Sequence, residues 1–216
     1  MAATAETIFL RVKPAVRPED PSSEAGRAFL AALSRAAPAF SSTIWGRSVD
    51  KADIIGIGVE LGPSGAHFPL EALAPFQAAV PRTLMLSVNA TDLVFNPVTE
   101  IAILPLRETL TAKEVTNAEA DGKTFGSALL AAPAPPAYSG KMALAYQSAF
   151  AAPSPRNRLV MLIGWREVQN HLDASETDVF QERLAPIMKK IGGDLDVTHF
   201  RFVAVETGVR DGDEQA

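Results

Sequence analysis

The sequence predicts an α+β protein of two tandem ferredoxin-like units, each running β-α-β-β-α-β, packed on each other. Three observations lead there. Strand-like and helix-like periodicities follow that order over residues 1–96 and again over residues 97–207, with an acidic tail at 208–216. The segments GVELGPSGAH and LIGWREVQNH align without a gap, so Leu61 and His67 stand to each other as Trp165 and His171 do. The third strand of each copy is apolar on both faces (Ile54, Ile55, Ile57 and Val59, then Leu159 to Ile163), as a strand covered on both sides must be.

In the first copy, Thr7–Lys13 alternates and is rich in β-formers, which predicts a strand. Ser22 or Ser23 can cap a helix from Glu24 to about Ala37, with Phe29, Leu30 and Leu33 as its apolar stripe and Pro38 as its stop. Ser42–Arg47 and Ala52–Leu61 read as strands joined by a polar turn at Val49–Lys51. A helix at Leu70–Ala79 and a strand at Thr83–Val88 complete the unit. In the second copy, Thr99–Arg107 reads as a strand whose Pro105 argues for an edge position or a bulge. The Ala/Pro-rich run at Ala131–Ala137 limits the next helix to Thr124–Leu130. Met142–Phe150 and Arg158–Trp165 read as strands, Glu176–Ile191 as an amphipathic helix and Val197–Val205 as the last strand.

A ferredoxin-like unit covers one sheet face with its helices and leaves the other bare. Several hundred Å2 of bare apolar sheet forfeits on the order of 10 kcal/mol of burial. Sheet against sheet, closing a barrel with a lumen, recovers it within one chain.

Composition excludes several function classes. Hydrophobic residues make up 47%, charged residues 21%, and the net charge is −5. No basic stripe interleaves with aromatics, so nucleic acid is not an expected partner. The absence of cysteine rules out disulfides, thiolate catalysis and Cys-based metal sites, and fits a reducing, cytoplasmic setting. Met1–Thr7 lacks the basic start of a secretory signal. No apolar run reaches the roughly 18 residues of a membrane span. GxGxxG, GxxxxGK[ST] and GxSxG do not occur. The three histidines show no HxH, HxxxH or HExxH spacing and lie on separate elements, so no metal and no cofactor is expected, although a barrel can bring two of them together.

Trp45-Gly46-Arg47 on the second strand, Trp165 followed by His171, and His199 with Phe202 on the last strand resemble the dimeric α/β-barrel superfamily. They are most similar to tandem fungal proteins of the antibiotic-biosynthesis-monooxygenase type. Leu61 replaces the Trp expected in the first copy, and Leu84 stands there for His199. The resemblance implies an intramolecular version of the dimeric barrel. It also implies cofactor-free oxygenation of phenols, polyketide cyclisation, decarboxylation or dehydration as the possible reactions.

The candidate catalytic residues are His199, Tyr146 and Arg47. Alternation puts Val197, His199, Arg201 and Val203 on one face of the last strand and Thr198, Phe200 and Phe202 on the other. If the phenylalanines pack under helices, His199 and Arg201 point into the lumen, where an imidazole can serve as general base or acid. Tyr146 or Arg47 then steadies a developing oxyanion. Trp45, Trp165, His67, His171, Arg201 and Tyr138 are candidates to line the substrate site, with Trp45 stacking on an aromatic ligand and Tyr138 gating entrance. Each has a plainer structural alternative: a hydrogen-bonded core histidine, a helix-start cap, a packed tryptophan. The expected function is a cofactor-independent enzyme of secondary metabolism acting on a small, apolar, oxygenated substrate. A non-catalytic ligand-binding or stress-associated barrel protein is the alternative, and further pairing into a homodimer stays open. A lumen lined by His199 favours the enzyme; a lumen filled by Ile, Leu and Phe favours the second reading.

Overall fold

A computed structural model of the protein describes residues 5–61, 65–86, 90, 96–131, 143–147 and 158–205, with 143–147 described through the backbone alone. The first half contains β1 (Ala5–Arg11), α1 (Glu24–Ala36), β2 (Ser42–Ser48), β3 (Ile54–Glu60) and β4 (Arg82–Leu86). The second contains β5 (Val98–Pro105), α2 (Ala112–Ala131), β6 (Ala143–Gln147), β7 (Arg158–Trp165), α3 (Val168–Ser175), α4 (Asp178–Met188) and β8 (Asp196–Ala204). All pairings are antiparallel, in the order β4-β1-β3-β2-β8-β5-β7-β6. Each half thus repeats one ferredoxin-like strand order. The halves join edge to edge through β2 and β8, from Ile44↔Ala204 to Ser48↔Phe200. The outer strands β4 and β6 lie against each other, so the sheet curls round on itself.

Local chemistry sets the helix ends. Ser23 caps α1 by accepting from the Gly26 N–H at 2.9 Å, and Phe29, Ala32 and Leu33 face the sheet. Where the sequence predicts a helix at Leu70–Ala79, the chain forms a 3-10 helix over Leu70–Phe76, because Pro75 has no N–H to continue an α-helical ladder. α2 is much longer than Thr124–Leu130. Thr111 and Glu114 form a capping box: the Thr111 N–H donates to Glu114 Oε2 at 2.8 Å and the Glu114 N–H to Thr111 Oγ1 at 3.3 Å. The prolines that argued for a short helix all lie past Ala131. Pro105 ends β5, a strand lying between β7 and β8 and not at an edge; β8 pairing stops at Ile103, so the missing N–H interrupts no ladder.

The inner faces of both halves meet in one apolar core. Phe9, Ile44, Leu84 and Leu86 pack there with Ile101, Ile103, Val160, Leu162, Phe200 and Phe202. Phe200 and Phe202 stack at 5.1 Å over Gly56, where an added Cβ would lie 3.0 Å from both rings. Among the described residues, these apolar side chains turn into the space where a polar-lined chamber is expected. That reverses the expected orientation of β8: the phenylalanines take the inner face, and His199 and Arg201 face the helix side. Trp45 and Arg47 face outward as well, Trp45 lying edge-on to Phe29 of α1. Among the described residues, no helix is long and apolar enough to cross a membrane.

Candidate functional site

Four polar side chains converge on the helix face of the second half. Glu100 of β5 and His199 of β8 stand directly opposite each other in the sheet. The chain leaves β7 at Trp165 and turns into α3, whose first turn lays His171 over the indole, with ring centroids 5.2 Å apart and planes 15° apart. The fourth member, Asp50, comes from the first half. Ser48 Oγ accepts the Asp50 and Lys51 N–H groups at 3.2 and 3.0 Å and so shapes the β2–β3 turn. That turn delivers the Asp50 carboxylate across the β2–β8 junction to His199.

The contacts form a chain. His199 gives both its backbone N–H (2.7 Å) and its Nδ1–H (2.8 Å) to Asp50 Oδ2. With Nδ1 protonated, the neutral His199 ring presents Nε2 as an acceptor, and His171 Nδ1 lies 2.8 Å from it. His171 Nδ1 is also 3.2 Å from Glu100 Oε2, and His199 Nε2 is 3.8 Å from the same oxygen. Trp165 Nε1–H donates to Glu100 Oε2 at 2.7 Å. Glu100 and His199 are 3% and 5% exposed, so these polar groups depend on one another for partners.

Burial dominates the titration of the inner groups. It pushes the Glu100 carboxyl up to about 7; the Trp165 hydrogen bond works against that rise, and the Asp50 charge adds to it. Burial likewise pulls the His171 imidazole down to about 4, assisted by His199 and opposed by Asp50. At neutral pH His171 is uncharged, and Glu100 lies near the midpoint between its acid and its anion.

Of the residues singled out from sequence, His199, His171 and Trp165 come together here. Arg47 does not: it is 2.7 Å from Glu19 and donates to the carbonyls of Val16 (2.7 Å) and Ala52, tying down the loop after β1. Trp45 packs under α1, apart from the cluster, and Arg201 is exposed. Tyr138 lies outside the described residues, and Tyr146 is described only through its backbone, opposite Leu159 in β7. Glu100 and Asp50 are members that sequence reasoning missed. A signal for Glu100 was present, because an acid interrupts the first strand of both copies, at Glu6 and at Glu100.

The repeat is written into the geometry. His67 Nδ1 lies 3.2 Å from Glu6, just as His171 Nδ1 lies 3.2 Å from Glu100. Glu6 faces Met85 across the β1–β4 ladder, where Glu100 faces His199. Met85, and not Leu84, is thus the counterpart of His199. The first half keeps the Glu–His pair and lacks the third member; its His67 side chain is 68% exposed.

Solved structures share the overall fold along nearly the whole chain. An anthrone oxidase-like protein superposes with a TM-score of 0.59 at 8% identity, covering 96% of this chain and 95% of its own. A candidate monooxygenase from Fusobacterium nucleatum gives 0.57 at 7% identity, covering 95% and 93%. Another from Lactobacillus acidophilus gives 0.54 at 12% identity, covering 95% of each chain. No protein-family model matches the sequence, and no curated protein matches it. At such identities the likeness shows the fold alone: two ferredoxin-like strand orders joined into one curled antiparallel sheet within a single chain.

Proposed function

We propose that the protein is an enzyme that moves protons on a small, apolar, oxygenated substrate of phenolic or β-keto type, with its reacting centre at the Asp50–His199–His171–Glu100 cluster. One observation carries this reading. His199 is held by a carboxylate on one ring nitrogen and faces a second imidazole with the other, an arrangement that fixes a tautomer and passes a proton along a defined line. Asp50 orients His199, and His171, the more exposed of the two rings, meets the substrate at the α3 edge. Glu100 supplies a nearby carboxyl able to give or take a proton near neutrality. Ring closure, dehydration or decarboxylation requires no more than such transfer. A cofactor-free monooxygenase is the close variant, in which the substrate anion itself reduces O2.

The apolar cluster on the inner face favours a different reading, a barrel that binds a ligand at its surface without converting it. Incubation with a panel of phenols and β-keto acids, read by mass spectrometry, separates the two. The enzyme reading expects loss of water or of carbon dioxide, or gain of one oxygen atom that vanishes under anaerobic conditions. His199→Ala is expected to lower turnover by about 100-fold. Turnover untouched by H199A removes the cluster from the mechanism, and binding without conversion across the panel supports the non-catalytic barrel.

A further inference from the structure

We infer that Glu100, His171 and His199 form a binding site for one divalent first-row transition ion, ligated by Glu100 Oε2, His171 Nδ1 and His199 Nε2. The three donor atoms lie within 4.8 Å of one another, on β5, α3 and β8. Their separations are 2.8, 3.2 and 3.8 Å. A point equidistant from all three lies about 1.9 Å from each, just inside the ~2.0–2.2 Å bonds that zinc makes to imidazole nitrogen and carboxylate oxygen. An ion displaced slightly from the donor plane therefore reaches normal bond lengths without movement of the backbone. Two imidazoles and one carboxylate are also a donor set that divalent zinc and iron favour, and three protein ligands leave a further position open.

Each ligand has its own orienting neighbour, as built metal sites do. Asp50 holds Nδ1 of His199 and so turns Nε2 toward the site. Trp165 donates to the Glu100 oxygen that faces both rings, leaving that oxygen a lone pair for the ion. The same indole stacks on His171 and fixes its plane. Binding shifts the His171 proton from Nδ1 to Nε2, which replaces the His171–His199 hydrogen bond by two metal–nitrogen bonds. The first half supplies an internal comparison. Glu6 and His67 meet at 3.2 Å, but Met85 stands in the place of His199, so among the described residues only two donors of this set assemble there. One ion per chain is the expected stoichiometry.

The site uses residues of the proton chain proposed above, yet its test is independent of turnover. The full-length chain, stripped with chelator and dialysed against Zn2+, is assayed for bound metal and titrated calorimetrically. One equivalent is expected, at micromolar affinity or better. His171→Ala and Glu100→Gln should each weaken it by about 100-fold or more, and Asp50→Asn by roughly 10-fold through loss of the orienting contact. His67→Ala, in the other half, should bind as the parent does. Thermal melts show whether each variant is folded; Glu100→Gln conserves shape, so it remains informative if His171→Ala unfolds. Zinc that is not retained, or is retained equally by folded Glu100→Gln, or is lost in His67→Ala, overturns the site. If zinc fails to bind while H199A abolishes turnover, the proton chain stands alone. If zinc binds without turnover, the metal site stands and the enzymatic reading falls.

Discussion

Glu100 shows how much a single buried carboxyl couples to its surroundings. Its pKa is raised in the folded chain, to about 7 from an ordinary 4.5, so the folded state favours the protonated form. The stability this contributes is full below about pH 4.5 and is lost as pH rises through 7. His171 runs the other way. Its pKa falls to about 4 from 6.5, so its contribution is present above pH 6.5 and lost as pH drops toward 4. Glu100→Gln removes only the first effect. In chelator-treated buffer at pH 8 it should stabilise the protein by on the order of 2–3 kcal/mol, a gain that shrinks toward zero near pH 4.5. Urea titrations at the two pH values check this; an equal effect at both would mean that Glu100 is not held protonated. His199 and His171 were legible in the sequence because histidines are scarce and one recurs at the same place in each copy. Asp50 was not. It lies in a turn where solvated charge is the default, and only the pairing of β2 with β8, about 150 residues apart in sequence, brings it to His199.

At the level of elements, periodicity recovered the strands and α1 well, since alternation and a capping serine are local signals. Two departures have local causes too. The α2 helix begins at a Thr-x-x-Glu box that outweighs the proline-rich run beyond its end. The Leu70–Phe76 segment contains an internal proline and settles as a 3-10 helix. The larger error concerned β8, where alternation divides the strand into two faces without saying which is inside. Phe200, fully buried against Phe9 and Phe202, decides the matter. Phe200→Ala should cost roughly 3–5 kcal/mol of unfolding free energy, because it opens a cavity between strands of both halves. Equilibrium denaturation reads this directly, and a cost below about 1 kcal/mol would indicate an interior that is not packed around that ring.

At the largest scale, the described residues form one curled eight-stranded sheet carrying two helical layers on its outside. Duplication was visible because element order and a short segment repeat. Which face of β8 turns inward was not, because both a ligand chamber and a packed core demand apolar inner faces. The inward turn of Phe200 and Phe202 moves the proposed chemistry from the inside of the barrel to its helix face, and within that face to the second half, where Met85 of the first half gives way to His199. The two locations separate in a paired turnover measurement on whichever panel substrate reacts. His199→Ala should reduce turnover about 100-fold, whereas Phe202→Leu, a change confined to the interior, should leave it within a few-fold of the parent. The opposite pattern, with turnover surviving in H199A and collapsing in a folded F202L, would place the reaction inside the barrel and contradict the account.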